Sequence, residues 1–155
     1  MWRKGWRKKM ADEILRDITP ESEQIARAVR AWLNMYPDKP MRMVDVEFLG
    51  ETSGLALSTV QAAYKTRRYI LGGYQAQYQF SILYATIPTT ASERLEADEV
   101  LNNYAAWIES TKPELPENCR FLRCNRNTNA ALLGRDANGS EVHQILFTLI
   151  YEVNV

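Results

Sequence analysis

From Gly73 to Tyr84 apolar and polar residues alternate. Tyr74, Ala76, Tyr78, Phe80, Ile82 and Tyr84 fall on one side, Gln75, Gln77, Gln79 and Ser81 on the other. A period of two belongs to a half-buried strand, so the aromatic face goes to a core. The glutamine face is left for water, a substrate or another subunit. The same period returns in "EVHQILFTLIYEV", where Ile145, Phe147, Leu149, Tyr151 and Val153 share a face. Shorter strands are predicted at "MRMVDVEFLG", with Val44, Val46 and Phe48 on one face, and at "CRFLRC" and "AALLG".

Helical spacing governs Ile25, Val29, Trp32, Leu33 and Tyr36, behind Thr19 as N-cap and Pro20 at the first helical position. Glu23 and Arg27 stand four apart on the outer face, and Pro37 and Pro40 stop the helix. Leu101, Tyr104, Ala105 and Ile108 mark a second helix that ends before Pro113 and Pro116. Glu96, Asp98 and Glu99 read as acids ahead of its start, where they favour the dipole. "ADEILRDI" suits a short helical lead-in. Residues 51–65 are ambiguous: "LALSTVQAAY" holds β-formers, yet Ala62-Ala63 suits a helix. A second strand or irregular arm is expected there, then a loop or hairpin at "KTRRYILGG" turning on Gly72-Gly73. Asn138-Gly139 is a natural hairpin tip; it also spells a glycosylation sequon, of little weight without a secretion signal. The resulting order predicts an α+β fold: a mostly antiparallel sheet with two principal helices packed on one face.

Composition refines this picture in two places. The chain has 155 residues, enough for one domain burying roughly two-thirds of its unfolded surface. No apolar run approaches the ~18 to 20 residues of a membrane-spanning helix, and no membrane partner is expected. Formal charge is zero, but Arg3, Lys4, Arg7, Lys8 and Lys9 crowd the first nine residues. The remainder carries 14 basic against 19 acidic residues, a net of −5, which argues against a general DNA-binding surface. Residues 1–9 thus form a basic leader ahead of a single domain, 10–155. The leader could bind nucleic acid or an anionic membrane through Trp2 and Trp6, be a tail without a role, or be untranslated, with Met10 the start.

Candidate chemistry is sparse. His143 is the only histidine, and its context "SEVHQIL" lies in a predicted strand and carries no known catalytic signature, so a small enzyme using His143 is a remote reading. Cys119 and Cys124, five apart, point to opposite faces of an extended chain and match no metal spacing. Gly72-Gly73 lacks the Lys-Ser/Thr of a phosphate loop. No catalytic residue, cofactor or metal is expected. Arg67, Arg68, Tyr69, Tyr74, Gln75, Gln77 and Gln79 stand out instead as interface candidates: amides exchange hydrogen bonds without the desolvation cost of full charges, and Arg and Tyr are favoured at interface centres.

"KTRRYILGGYQAQYQFSILY", a helix ending "NNYAAWIES", "LPE", and closing strands ending "FTLIYEV" resemble a family of bacteriophage minor capsid proteins similar to siphovirus tail terminators. The likeness spans about residues 20–154, is strongest over 65–109, and rests on element order and Tyr69, Phe80, Trp107 and Tyr151. It implies a homo-oligomeric ring, typically a hexamer, at the head-tail junction of the virion, assembled in the host bacterial cytoplasm. The implied partners are the tail tube protein, the head-completion connector, and phage DNA passing through the lumen without sequence-specific binding. A neck adaptor is the nearest rival, since it also builds rings. Chloramphenicol-type acetyltransfer would want a His-Asp spacing that "HQILF" lacks.

Overall fold

The computed structural model describes residues 18–39, 45–46, 54–88, 90–135 and 139–154. Along them run α1 (Ser22–Asn34), β1 (Asp45–Val46), β2 (Gly54–Arg68), β3 (Tyr74–Thr86), α2 (Ala91–Ser110), β4 (Cys119–Arg126), β5 (Ala131–Arg135) and β6 (Glu141–Val153). The strands make one sheet in the order β1-β2-β3-β6-β4, with β5 beside the other half of β6. Every pairing is antiparallel except the short parallel contact of β1 with β2. The leader, Met10, "ADEILRDI", most of "MRMVDVEFLG" and Asn138 lie outside the described residues.

β3 and β6, the two alternating segments, pair without a break from Tyr74 opposite Val153 to Thr86 opposite Glu141. Their inward faces bring Tyr78, Phe80, Ile82, Ile145, Phe147, Leu149 and Tyr151 into one core, all fully buried. Phe80 and Phe147 sit directly across from each other with rings stacked 5.3 Å apart. Both helices cover this face: α1 contributes Ile25, Val29, Trp32 and Leu33, and α2 contributes Leu101, Tyr104, Ala105 and Ile108. Trp32 Nε1 donates to Thr111 Oγ1 at 2.9 Å and Tyr104 Oη donates to the Leu33 carbonyl, tying the helices together. The expected α+β architecture is the one found.

Several local expectations are corrected. Thr19 does not cap α1, because its N–H is bound to the Ala63 carbonyl and its hydroxyl meets Tyr151 Oη at 3.1 Å. The helix starts after Glu21, whose carboxylate accepts the Tyr74 and Tyr151 hydroxyls instead of capping. α2 starts at Ala91, nearly three turns before the Leu101 at which its apolar stripe begins. Thr90 accepts from Glu93 N–H at 3.2 Å, an N-cap with an acid three residues on, so Glu96, Asp98 and Glu99 lie within the helix.

β2 resolves the ambiguous segment as a strand that also takes in "KTRR", leaving a short turn at 69–73. Three register shifts against β3 each put one additional residue into β2, and such bulges bend and twist a strand. A fourth, between Phe121 and Arg123 in β4, corrects the cysteines. The additional residue returns Cys124 to the face of Cys119, so both thiols pack on the core.

Candidate assembly surface

The distal end of the β2–β3 hairpin carries most of the interface candidates. Tyr69 N–H donates to the Gly73 carbonyl at 3.1 Å and Gly72 N–H to the Tyr69 carbonyl at 3.2 Å. Gly72 and Gly73 hold φ of 98° and 82°. A Cβ on Gly73 would lie 2.5 Å from the Val153 carbonyl oxygen, so this turn presses against the end of β6. Arg67 and Arg68 are exposed just before the turn. Ile70 and Leu71 form its tip at 101% and 98% relative exposure.

On the face away from the helices, cross-strand rows run Arg67–Gln75–Glu152–Arg120, Tyr64–Gln77–Ile150–Arg123 and Gln61–Gln79–Thr148–Asn125. Gln75, Gln77 and Gln79 are half-buried there, and the Gln77 amide donates to Tyr64 Oη. Glu152 takes Arg120 Nη2 at 2.5 Å and the Tyr69 hydroxyl at 3.1 Å. Tyr69 is thereby pinned toward this polar face. Tyr74 lies on the helix side and is largely buried, its hydroxyl on Glu21 at 2.7 Å and its ring 4.5 Å from Lys65 Nζ. Burial and then Glu21 push its phenol well above the ordinary range, so it stays protonated.

At the same end of the sheet, on the helix side, lies an open groove of about 550 Å³. Pro20, Glu21, Pro116, Glu117 and Val153 are among its walls, from the start of α1, the α2–β4 loop and the end of β6. Its parts are distant in sequence, so no local pattern announces it. The exposed tip did have a signal: Ile-Leu directly before Gly-Gly, where turn residues are ordinarily polar.

At the other end of β6 the buried His143 and Glu141 meet Asp98 and the exposed Arg94 and Arg135. His143 Nδ1 is 2.7 Å from Asp98 Oδ1 and its Nε2 is 3.4 Å from Glu141 Oε2. Glu141 Oε1 is 2.8 Å from both Arg94 Nε and Arg135 Nε; the alignment falls short of hydrogen bonding, so charge alone holds that oxygen. Both ring nitrogens face carboxylates, and the cluster ties α2 and β5 to β6. Burial, aided by Glu21 and Glu109 respectively, pushes Cys119 up to about 11 and Cys124 up to about 12, which keeps both thiols protonated and weakly nucleophilic near neutrality. Among the described residues no group of three or more His, Cys, Asp or Glu side chains could hold a metal ion, and no helix is long and apolar enough to cross a membrane.

No protein-family model and no curated protein matches the chain. Its fold is similar to that of a solved chain from the virion of a native gene transfer agent particle, with a TM-score of 0.64 at 12% identity. The match covers 86% of this chain and 98% of that one. At that identity the likeness is one of fold.

Proposed function

We propose that this protein is a structural component of a tailed phage-like virion, a tail terminator that closes into a ring, a hexamer in the form the family likeness implies. One observation carries the reading: the fold matches, over nearly the whole of that chain, a chain of a gene transfer agent virion. The candidate surface is consistent with it, offering polar strands and an exposed apolar tip. A ring needs a head-to-tail contact that closes by rotation and leaves no edge for further growth. The hairpin end, from Lys65 to Tyr74, supplies one side of that contact, with Arg67, Arg68 and the glutamine rows beside it. In this role one ring face binds the tail tube protein and the other the head connector at the head-tail junction, and DNA passes through the lumen.

Deletion of the gene in its phage tests the assignment. Tails of irregular length that fail to join heads are expected by electron microscopy. Normal tails that join heads would end the terminator reading, and normal tails beside unjoined heads would make the protein a neck adaptor.

A further inference from the structure

The tip and the groove lie at the same end of the sheet. Tyr69 is drawn toward the polar face by Glu152, whereas the groove is walled on the helix side by Tyr74, Val153 and Cys119, which form one inward-facing cross-strand row. From these placements we infer that the Ile70-Leu71 tip of one copy seats in the groove of the next copy around the ring. The inference rests on the ring reading and specifies its contact.

Three features commit the groove to a second copy of this chain. The first is charge: the exposed Arg67 stands just before the apolar tip, and Glu21 and Glu117 stand in the groove walls. Such pairing fixes register and partner more than it adds affinity. The second is shape. Ile70 and Leu71 are an apolar knob that the monomer leaves bare, and the groove is a concave surface with proline and valine walls. The third is symmetry. A head-to-tail ring needs two different patches on each copy, one fitting the other, and the tip and the groove are two such patches. Ile70 and Leu71 are fully exposed in the single chain, so a chain's own tip does not fill its own groove.

Cross-linking of the full-length chain tests this, with Cys119 and Cys124 replaced by serine. Two chains of distinguishable mass are mixed under mild oxidation, one carrying Leu71→Cys and the other Glu117→Cys. A disulfide requires the two Cα atoms to come within about 7 Å, so a heterodimer on a non-reducing gel reports seating. It is expected for this pair and not when Leu95→Cys, on the exposed first half of α2, replaces Glu117→Cys. A chain carrying both substitutions should give a ladder that stops at one closed species. Failure of the Leu71–Glu117 link overturns the inference, as does an equal link to position 95. A groove occupied by residues 1–17 of its own chain would also give no link and overturn it. The ring reading is judged separately by native mass: a ring that forms without this link keeps the reading and loses only the contact.

Discussion

At the scale of single residues, the stacked Phe80–Phe147 pair is the centre of the core. Both rings are fully buried, and truncating Phe80 leaves a void between β3, β6 and the helices. Phe80→Ala is expected to cost about 3 to 5 kcal/mol in denaturant unfolding. A loss under about 1 kcal/mol would show that the site collapses or that the strand faces the other way. Gly73 and Gly139 form a matched pair. Both hold positive φ, but an added Cβ meets the Val153 carbonyl at Gly73 and open space at Gly139. Gly73→Ala should therefore lower the unfolding midpoint clearly more than Gly139→Ala, and equal losses would mean that only the dihedral matters.

The thiols give a residue-scale pH dependence. Their ordinary value of 9.0 is raised to about 11 for Cys119 and about 12 for Cys124, mainly by burial. Above the unfolded value the unfolded chain has released these protons while the folded chain still holds them. The folded state is then the one with more bound protons, so stability falls as pH rises. Their contribution is whole below about pH 9 and drains as pH climbs through the folded values. Urea midpoints should be flat to that point and then decline. Replacing both cysteines with alanine should make the decline shallower, and an unchanged slope would assign it to the tyrosines, whose buried phenols are raised as well.

At the scale of elements, legibility in the sequence followed regularity of pairing. β3 and β6 could be read almost to the residue because every step of their ladder is regular and one face is buried. β2 could not, since each bulge reverses which face the following residues present, and three of them erase the period. The same effect hid the shared face of Cys119 and Cys124. The first half of α2 was missed for a different reason. It is largely exposed and acidic, so it shows no apolar stripe, and its signal lay in Thr90 and Glu93. Thr90→Ala should cost about 0.5 to 2 kcal/mol and lower the helical signal in circular dichroism. If neither changes, the cluster of Asp98, His143 and Glu141 fixes the start of the helix without help from the cap. Of the candidate surface, the hairpin end and glutamine face were visible as a pattern. The groove was not, because it exists only when the starts and ends of three distant segments meet.

At the scale of the whole molecule, the question is why the folded chain should display two large aliphatic residues at the tip of a hairpin. Isolated exposed apolar residues are common, but Ile70 and Leu71 are adjacent, fully exposed, and carried on a turn anchored by Tyr69 to Glu152 and by Gly73 against Val153. A tip held this firmly loses little conformational freedom on docking, which favours association. Neither residue contributes packing to the monomer, so replacing both with serine should leave unfolding stability within about 0.5 kcal/mol of the parent. Assembly should respond differently. The folded variant is expected to fail to complement a phage lacking the gene, giving tails of irregular length without heads, while the exposed Met35→Ser, remote from the tip in sequence, complements normally. Should the doubly substituted chain restore tail length, head joining and infectivity to parental levels, the tip has no part in the contact.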